Sequence, residues 1–193
     1  MSPPRTAAAI AGSMKPFASF AAVILAASFA PRDARATEEG IVKEEGQHPD
    51  YFAELDVHGV FAIGPTLGRY DVVGFGPGAH ANFNLLKNGL IASLNDSVAL
   101  GVGAALVFDA LGGDVRLVTP VVLQWNFWLT PHWSVFGEPG VAIEFPMSTW
   151  RGNEPVYLSP VLDVGARYDF NDHVAFVVRL GFPVSTVGVS FFM

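Results

Sequence analysis

The chain contains no cysteine. That excludes disulfides, thiolate metal sites and a lipid-modified N-terminal cysteine, so an exported form would have to fold without covalent staples. Charge is also scarce. Asp, Glu, Lys and Arg make up 15% of the residues, against about a quarter in an average soluble domain. The charges present are mostly negative, with 18 acidic residues to 11 basic. Such a chain is a poor partner for nucleic acid, which calls for a basic stripe. Beyond the N-terminal region, no apolar run reaches the roughly 20 residues a spanning helix needs. If the chain crosses a bilayer it must do so as a closed barrel, the other solution that satisfies every backbone polar group in lipid.

Signatures of catalysis are missing too. There is no HExxH, no P-loop lysine pattern and no CxxC. The segment Gly74-Phe75-Gly76-Pro77-Gly78 has the glycines of a phosphate loop but neither the lysine nor the helix that should follow. Glu54, Asp56 and His58 are spaced i, i+2, i+4, which is the spacing of any polar strand face and too few ligands to define a metal site. None of the five histidines sits beside a serine in a local strand arrangement suited to nucleophilic catalysis. The expectation is a protein that is not an enzyme and carries no cofactor or metal.

The N-terminus has the layout of a secretory signal. Arg5 and Lys15 precede an uncharged stretch from Phe17 to Ala30, and Ala34-Arg35-Ala36 fits the small-x-small cleavage rule. Residues 1–36 are thus expected to be a signal peptide, with Met14 an alternative start. Their removal takes away Arg5, Lys15, Arg32 and Arg35 together with Asp33, leaving seven basic and 17 acidic residues and a formal charge of −10. Residues 37–52 are acidic and poor in apolar side chains, which suggests a flexible lead segment.

From Ala53 to Met193 the pattern repeats every two residues, the signature of strands. Leu117, Val121, Leu123, Trp125, Phe127 and Leu129 alternate with Arg116, Gln124 and Asn126. Val135, Val141, Ile143 and Phe145 oppose Glu138 and Glu144. Leu162, Val164, Ala166 and Tyr168 oppose Asp163 and Arg167, and Phe176, Val178, Leu180 and Phe182 oppose Arg179. Eight such segments can be counted. Three polar turns resemble one another, at Asn95-Asp96-Ser97, Thr130-Pro131-His132 and Asn171-Asp172-His173. They are expected on one side of a membrane, with connections 64–71, 109–114, 146–155 and 183–184 on the other. Trp125, Phe127, Trp128, Trp133, Phe136, Tyr168 and Phe170 gather near the three turns, as an interfacial aromatic girdle would. Pro77, Pro120, Pro139 and Pro160 fall inside strands, where each removes a ladder donor; bulges could absorb them, and Gly76-Pro77-Gly78 and Glu138-Pro139-Gly140 are suited to one.

The repeated turn-plus-strand pattern and the final strand from Val187 to Met193, with its alternating apolar residues and Phe191-Phe192 near the end, resemble the small outer-membrane β-barrel proteins of Gram-negative bacteria, such as the OmpA transmembrane domain and the OmpX type. The resemblance covers residues 53–193 and departs from the usual pattern in ending on Met193 rather than an aromatic residue. It implies an all-β, eight-stranded antiparallel transmembrane barrel of up-and-down meander topology, in the cell outer membrane. Its partners would be outer-membrane lipid and, through the C-terminal strand, the barrel-assembly machinery.

A barrel of that size has room for side chains rather than a channel. The inward face would hold Glu54, Asp56, His58, Arg116, Gln124, Asn126, Glu138, Glu144, Asp163, Arg167 and Arg179 as a paired polar network, because an unpaired charge in a tight interior is costly. Function on such scaffolds sits in loops, which makes Trp150 and Arg151 the contact candidates. The expected role is structural or loop-mediated interaction. The alternatives are a narrow, porin-like pore for small solutes and a soluble exported barrel of lipocalin type, in which the apolar face would point inward.

Overall fold

A computed structural model of the chain describes residues 40–66, 69–147 and 156–193. The predicted signal peptide and the contact candidates Trp150 and Arg151 lie outside the described residues. From the lead segment onward the chain forms eight strands: β1 (Ala53–Thr66), β2 (Arg69–Leu86), β3 (Asp96–Asp109), β4 (Val115–Trp128), β5 (Trp133–Pro146), β6 (Tyr157–Asn171), β7 (Val174–Phe182) and β8 (Ser185–Phe192). Each pairs antiparallel with its sequence neighbour, and β8 closes on β1 to complete the barrel.

The registers fix its dimensions. Leu55 leads through Ala81, Val102, Val121 and Val141 to Pro160 on β6. Tyr168, eight residues further along β6, leads through Phe176 and Val189 back to Val57, two residues from the start. One circuit therefore carries a stagger of ten residues. With about 3.3 Å per residue and about 4.8 Å between strands, eight strands with this stagger tilt by roughly 40° around a backbone cylinder of roughly 8 Å radius. A strand of 14 residues such as β4 then rises roughly 35 Å along the axis, more than the roughly 25 Å of an outer-membrane apolar band.

Strands β1 and β2 run further than the sequence pattern suggested. The predicted connection 64–71 is mostly strand: pairing continues through Gly64↔Val72, then shifts by a bulge to Thr66↔Arg69, leaving only 67–68 between the strands. Gly64 and Pro65, which read as turn punctuation, sit in a hairpin arm instead.

The prolines behave differently from expectation as well. None of Pro77, Pro120, Pro139 and Pro160 lies at a bulge; the shifts occur near strand ends, at Gly64/Thr66, Asn84/Leu86 and Asp169/Asn171. Along an antiparallel strand each amide points to one neighbour only, so a proline forfeits one rung on one side. Pairing with β3 lapses at Gly76 and Pro77 while β1 stays paired with both. It lapses between Gly103 and Pro120 while Pro120 keeps Ala142, and between Leu123 and Pro139 while Pro139 keeps Leu162. Pro160 lies beyond the end of β7, where pairing with β6 begins at Leu162↔Phe182. Register survives every lapse, and no extra residue is needed.

Leu86 and Asp96, Trp128 and Trp133, and Asn171 and Val174 all meet at the barrel end that also carries the N-terminus of β1 and the C-terminus of β8. Two of the three similar turns share a mechanism. Asn171 Oδ1 accepts the amides of His173 and Val174 at 2.9 and 3.0 Å, and Thr130 Oγ1 accepts those of His132 and Trp133 at 3.3 and 3.0 Å. Such side-chain caps are why Asn and Thr favour turns. The third turn differs, because Asn95 donates its side-chain amide to the Gln47 carbonyl at 2.9 Å.

Residues 40–52, which composition suggested to be flexible, lie in turns across this end. Ile41 donates its amide to Leu129 O at 3.1 Å, and Asn95 donates its own to Val42 O at 2.8 Å. His48 stacks on Trp128 at 5.6 Å, and Tyr51 meets Phe192 at 4.7 Å. Ile41, Tyr51, Trp128, Ala175 and Phe192 form one buried cluster that stoppers the barrel here. Burial there pushes the Tyr51 phenol well above its usual pKa.

Candidate functional site: the barrel interior

Strand alternation divides the wall into two surfaces. Leu100, Leu123, Val141, Ile143, Leu162, Val164, Leu180 and Phe191 face outward and are exposed, while Glu54, Asp56, Glu138, Arg167 and Arg179 face inward and are buried. This polarity is the reverse of a water-soluble globule. Large exposed apolar side chains cover the whole wall and require an apolar surrounding.

The inward face is layered along the axis. Above the aromatic stopper lies an ionic waist drawn from six strands. Arg167 Nη2 donates to Glu54 Oε2 at 2.6 Å, and Asn82 donates to the same oxygen at 3.2 Å. Arg167 also reaches Gln124 Oε1 at 3.4 Å and Asn126 Oδ1 at 3.5 Å. Gln124 donates onward to Glu138 Oε1 at 2.6 Å, and Arg179 Nε donates to Glu138 Oε2 at 3.0 Å. Arg179 Nη1 pairs with Asp56, which is also bonded to His58 Nδ1. The guanidinium of Arg167 is further enclosed by rings of Trp128, Phe136 and Phe192, 5.4 to 5.8 Å away. Each buried guanidinium is matched to a carboxylate, Arg167 to Glu54 and Arg179 to Asp56 and Glu138, which offsets the cost of burying charge at this depth.

The next layer is apolar. Val60, Ala62, Ala105, Val107, Val118, Val122, Ala142 and Val161 make a buried cluster with Val184 against it. Beyond it, towards the far end, Arg116 pairs with Glu144 at 3.3 Å. Between waist and apolar layer lies a cavity of about 30 Å³ bounded by His58, His80, Glu138, Asp163, Arg179 and Val122, room for a water or two.

The residues anticipated as one network thus fall into separate places. Glu54, Asp56, His58, Gln124, Asn126, Glu138, Arg167 and Arg179 are joined in the waist. Arg116 and Glu144 stand apart beyond the apolar layer, and Asp163 borders the cavity, its Oδ1 without a hydrogen bond among the described residues. Two further buried polar residues of the inward face were not named in the anticipated network, although alternation sets them on its side. His80 and Asn82 share the parity of the inward face on β2 and are buried. Small residues opposite make space for them: a Cβ on Gly101 would sit 2.6 Å from both Asn82 Oδ1 and His80 Nε2.

The aromatic girdle needs a correction. Trp125, Phe127, Trp133, Tyr168 and Phe170 do lie outside near the turns, in contact as Trp125–Phe127 at 4.8 Å, Trp133–Tyr168 at 5.0 Å and Tyr168–Phe170 at 5.4 Å. Trp128 and Phe136 have the opposite parity, are buried, and wall in Arg167 instead.

A closed eight-stranded meander with an apolar exterior, an ionic interior and an aromatic belt defines a small transmembrane β-barrel of the outer-membrane type. No family model matches the chain, and no curated protein does either. Among solved structures, it is similar to the outer-membrane protein Ail of Yersinia pestis, determined in a phospholipid bilayer nanodisc, at 9% identity and a TM-score of 0.46 over 75% of this chain and 100% of that one. A de novo designed transmembrane β-barrel matches at 11% identity and a TM-score of 0.45, over 75% of this chain and 98% of the design. Neither likeness speaks to activity.

Proposed function

We propose that this protein is a non-conducting outer-membrane barrel whose role is structural or exercised through its loops. The observation that carries the reading is an interior filled by side chains. An aromatic stopper, an ion-paired waist and an apolar layer succeed one another along the axis, and the cavity between waist and apolar layer is of water size. A pore needs a continuous polar lumen, and an apolar constriction of this kind resists wetting. A lipocalin-like carrier needs the opposite polarity of the two surfaces. With the interior occupied, contact with other molecules falls to the connections. We place the termini end in the periplasm, since an even number of strands returns both ends of an exported chain to the side from which it inserts, and the far-end connections outside the cell. Trp150 and Arg151, in the connection between β5 and β6, are the first residues to test for contact with a partner. Insertion by the assembly machinery through β8 belongs to the same reading, which requires no catalytic step or cofactor.

The test is twofold. On cell fractionation the protein should follow the outer membrane and show a heat-dependent shift in gel mobility. Folded into a planar bilayer, it should add no conductance to that of lipid alone. Discrete conductance steps that change in Glu138→Gln or Arg179→Met would replace this reading with a narrow pore.

A further inference from the structure

The connection between β2 and β3, residues 87–95, folds back over the outer wall. Strand parity puts Asp96 and Val98 on the lipid-facing side with Leu100, yet they are 1% and 3% exposed where Leu100 is 38% exposed. The connection accounts for the difference. Gly89, at φ +55°, lies so close to Asp96 that a Cβ there would overlap its carboxylate. This is a place where only glycine combines that backbone with that contact. The amide of Leu90 donates to Asp96 Oδ2 at 3.0 Å, and the indole N–H of Trp125 donates to the same oxygen at 2.8 Å. Trp125 belongs to the outer aromatic belt. One buried carboxylate therefore clamps the connection to the belt of the neighbouring strand.

So held, the connection turns apolar side chains away from the protein. Leu90 is 61% exposed, and Ile91, Leu85 and Leu86 are exposed beside it. Phe52, 72% exposed, meets Phe83 edge-on at 6.2 Å and extends the same surface. This surface is continuous with the lipid-facing side of β2, where Phe75 and Phe83 point outward. Lys87, paired with Asp50 at 2.5 Å, marks its watery edge.

We propose that residues 87–95 form a membrane foot, seated in the interfacial layer of the leaflet at the termini end, with Leu90 and Ile91 at the acyl boundary. The occupant of this surface is phospholipid. Its continuity with the lipid-facing wall argues for that, as does the clamp onto a girdle tryptophan, since Trp rings settle at headgroup depth. The proposal rests on the transmembrane reading of the barrel.

The absence of cysteine makes the test direct. Single cysteines at Leu90, Ile91, Leu123 and Glu45 of the full chain carry a nitroxide label. Each variant is folded into phosphatidylcholine–phosphatidylglycerol vesicles, and heat-shifted gel mobility verifies the barrel. Labels at Leu90 and Ile91 should collide with oxygen several-fold more than with a water-soluble nickel chelate, as the mid-wall label at Leu123 does, while Glu45 shows the reverse. Adding Asp96→Ala should release the clamp and move the Leu90 label towards the Glu45 profile. If the Leu90 and Ile91 labels meet nickel as readily as Glu45 while Leu123 stays in lipid, the foot is wrong and the barrel reading stands. If both are shielded from oxygen and nickel alike, the surface is a protein contact and the proposal falls. If Leu123 itself meets nickel, the transmembrane reading fails with it.

Discussion

The inner and outer surfaces of this barrel are made by alternate residues of the same strands, yet they follow different rules. Outside, Leu123, Ile143 and Leu162 have only to be apolar, because lipid conforms to whatever shape they present. Inside, particular groups depend on particular neighbours: Arg167 needs Glu54, Gln124 needs Glu138, and Gly101 needs to be small for His80 and Asn82. The outer surface is specified by class and the inner surface by identity. Substitutions that exchange one requirement for the other separate the two.

The largest expected effect is at the waist. Arg167→Met leaves the Glu54 carboxylate buried without its cation and should lower unfolding free energy by about 3–5 kcal/mol, read from urea unfolding in vesicles. Replacing both partners, as Glu54→Gln with Arg167→Met, should cost less than Arg167→Met alone; an equal or larger loss would mean that the pair is not the source of the effect. Next comes a charge on the outer wall. Leu123→Arg should cost about 2–4 kcal/mol in the same assay, whereas Leu123→Ile should be near neutral. A small cost for the arginine would show that this wall does not face acyl chains. Overfilling the interior follows. Gly101→Val should destabilise by about 1–3 kcal/mol through displacement of His80, Asn82 and Val122, visible as a lower temperature for the heat-dependent gel shift. The smallest is Trp125→Phe, which keeps the ring but removes one hydrogen bond to Asp96. It should cost about 1 kcal/mol in urea unfolding.

Much of this architecture was readable from alternation alone. Where polar and apolar residues strictly alternate, as in Glu138 and Glu144 against Val141 and Ile143, facing follows from parity. Alternation is silent where both faces are apolar. Val121, Val122 and Leu123 are consecutive apolar residues, and nothing in that run announces that Val122 joins an internal apolar layer while its neighbours face outward. For the same reason Trp128 and Phe136 looked like girdle residues. Their composition suits a membrane interface, and only counting from Gln124 and Glu138 puts them beside Arg167. The division of the inward polar residues into a waist and a separate Arg116–Glu144 pair depends on height along a tilted cylinder, which follows from interstrand register and not from any one strand. The clamp at Asp96 was hidden for a related reason, since it joins a loop, a strand start and a tryptophan that sequence places far apart.

The proline lapses carry a consequence for how the wall breathes. Both flanks of β4 lose rungs at mid-height, against Gly103 on one side and Pro139 on the other. In deuterated buffer, that strand and its facing residues should surrender their amide protons ahead of β1 and β6, which are continuously paired with β2 and β5 at the same level. With the further lapse between β2 and β3 at Gly76 and Pro77, isotope uptake would then concentrate on the side of the cylinder that runs from β2 to β5.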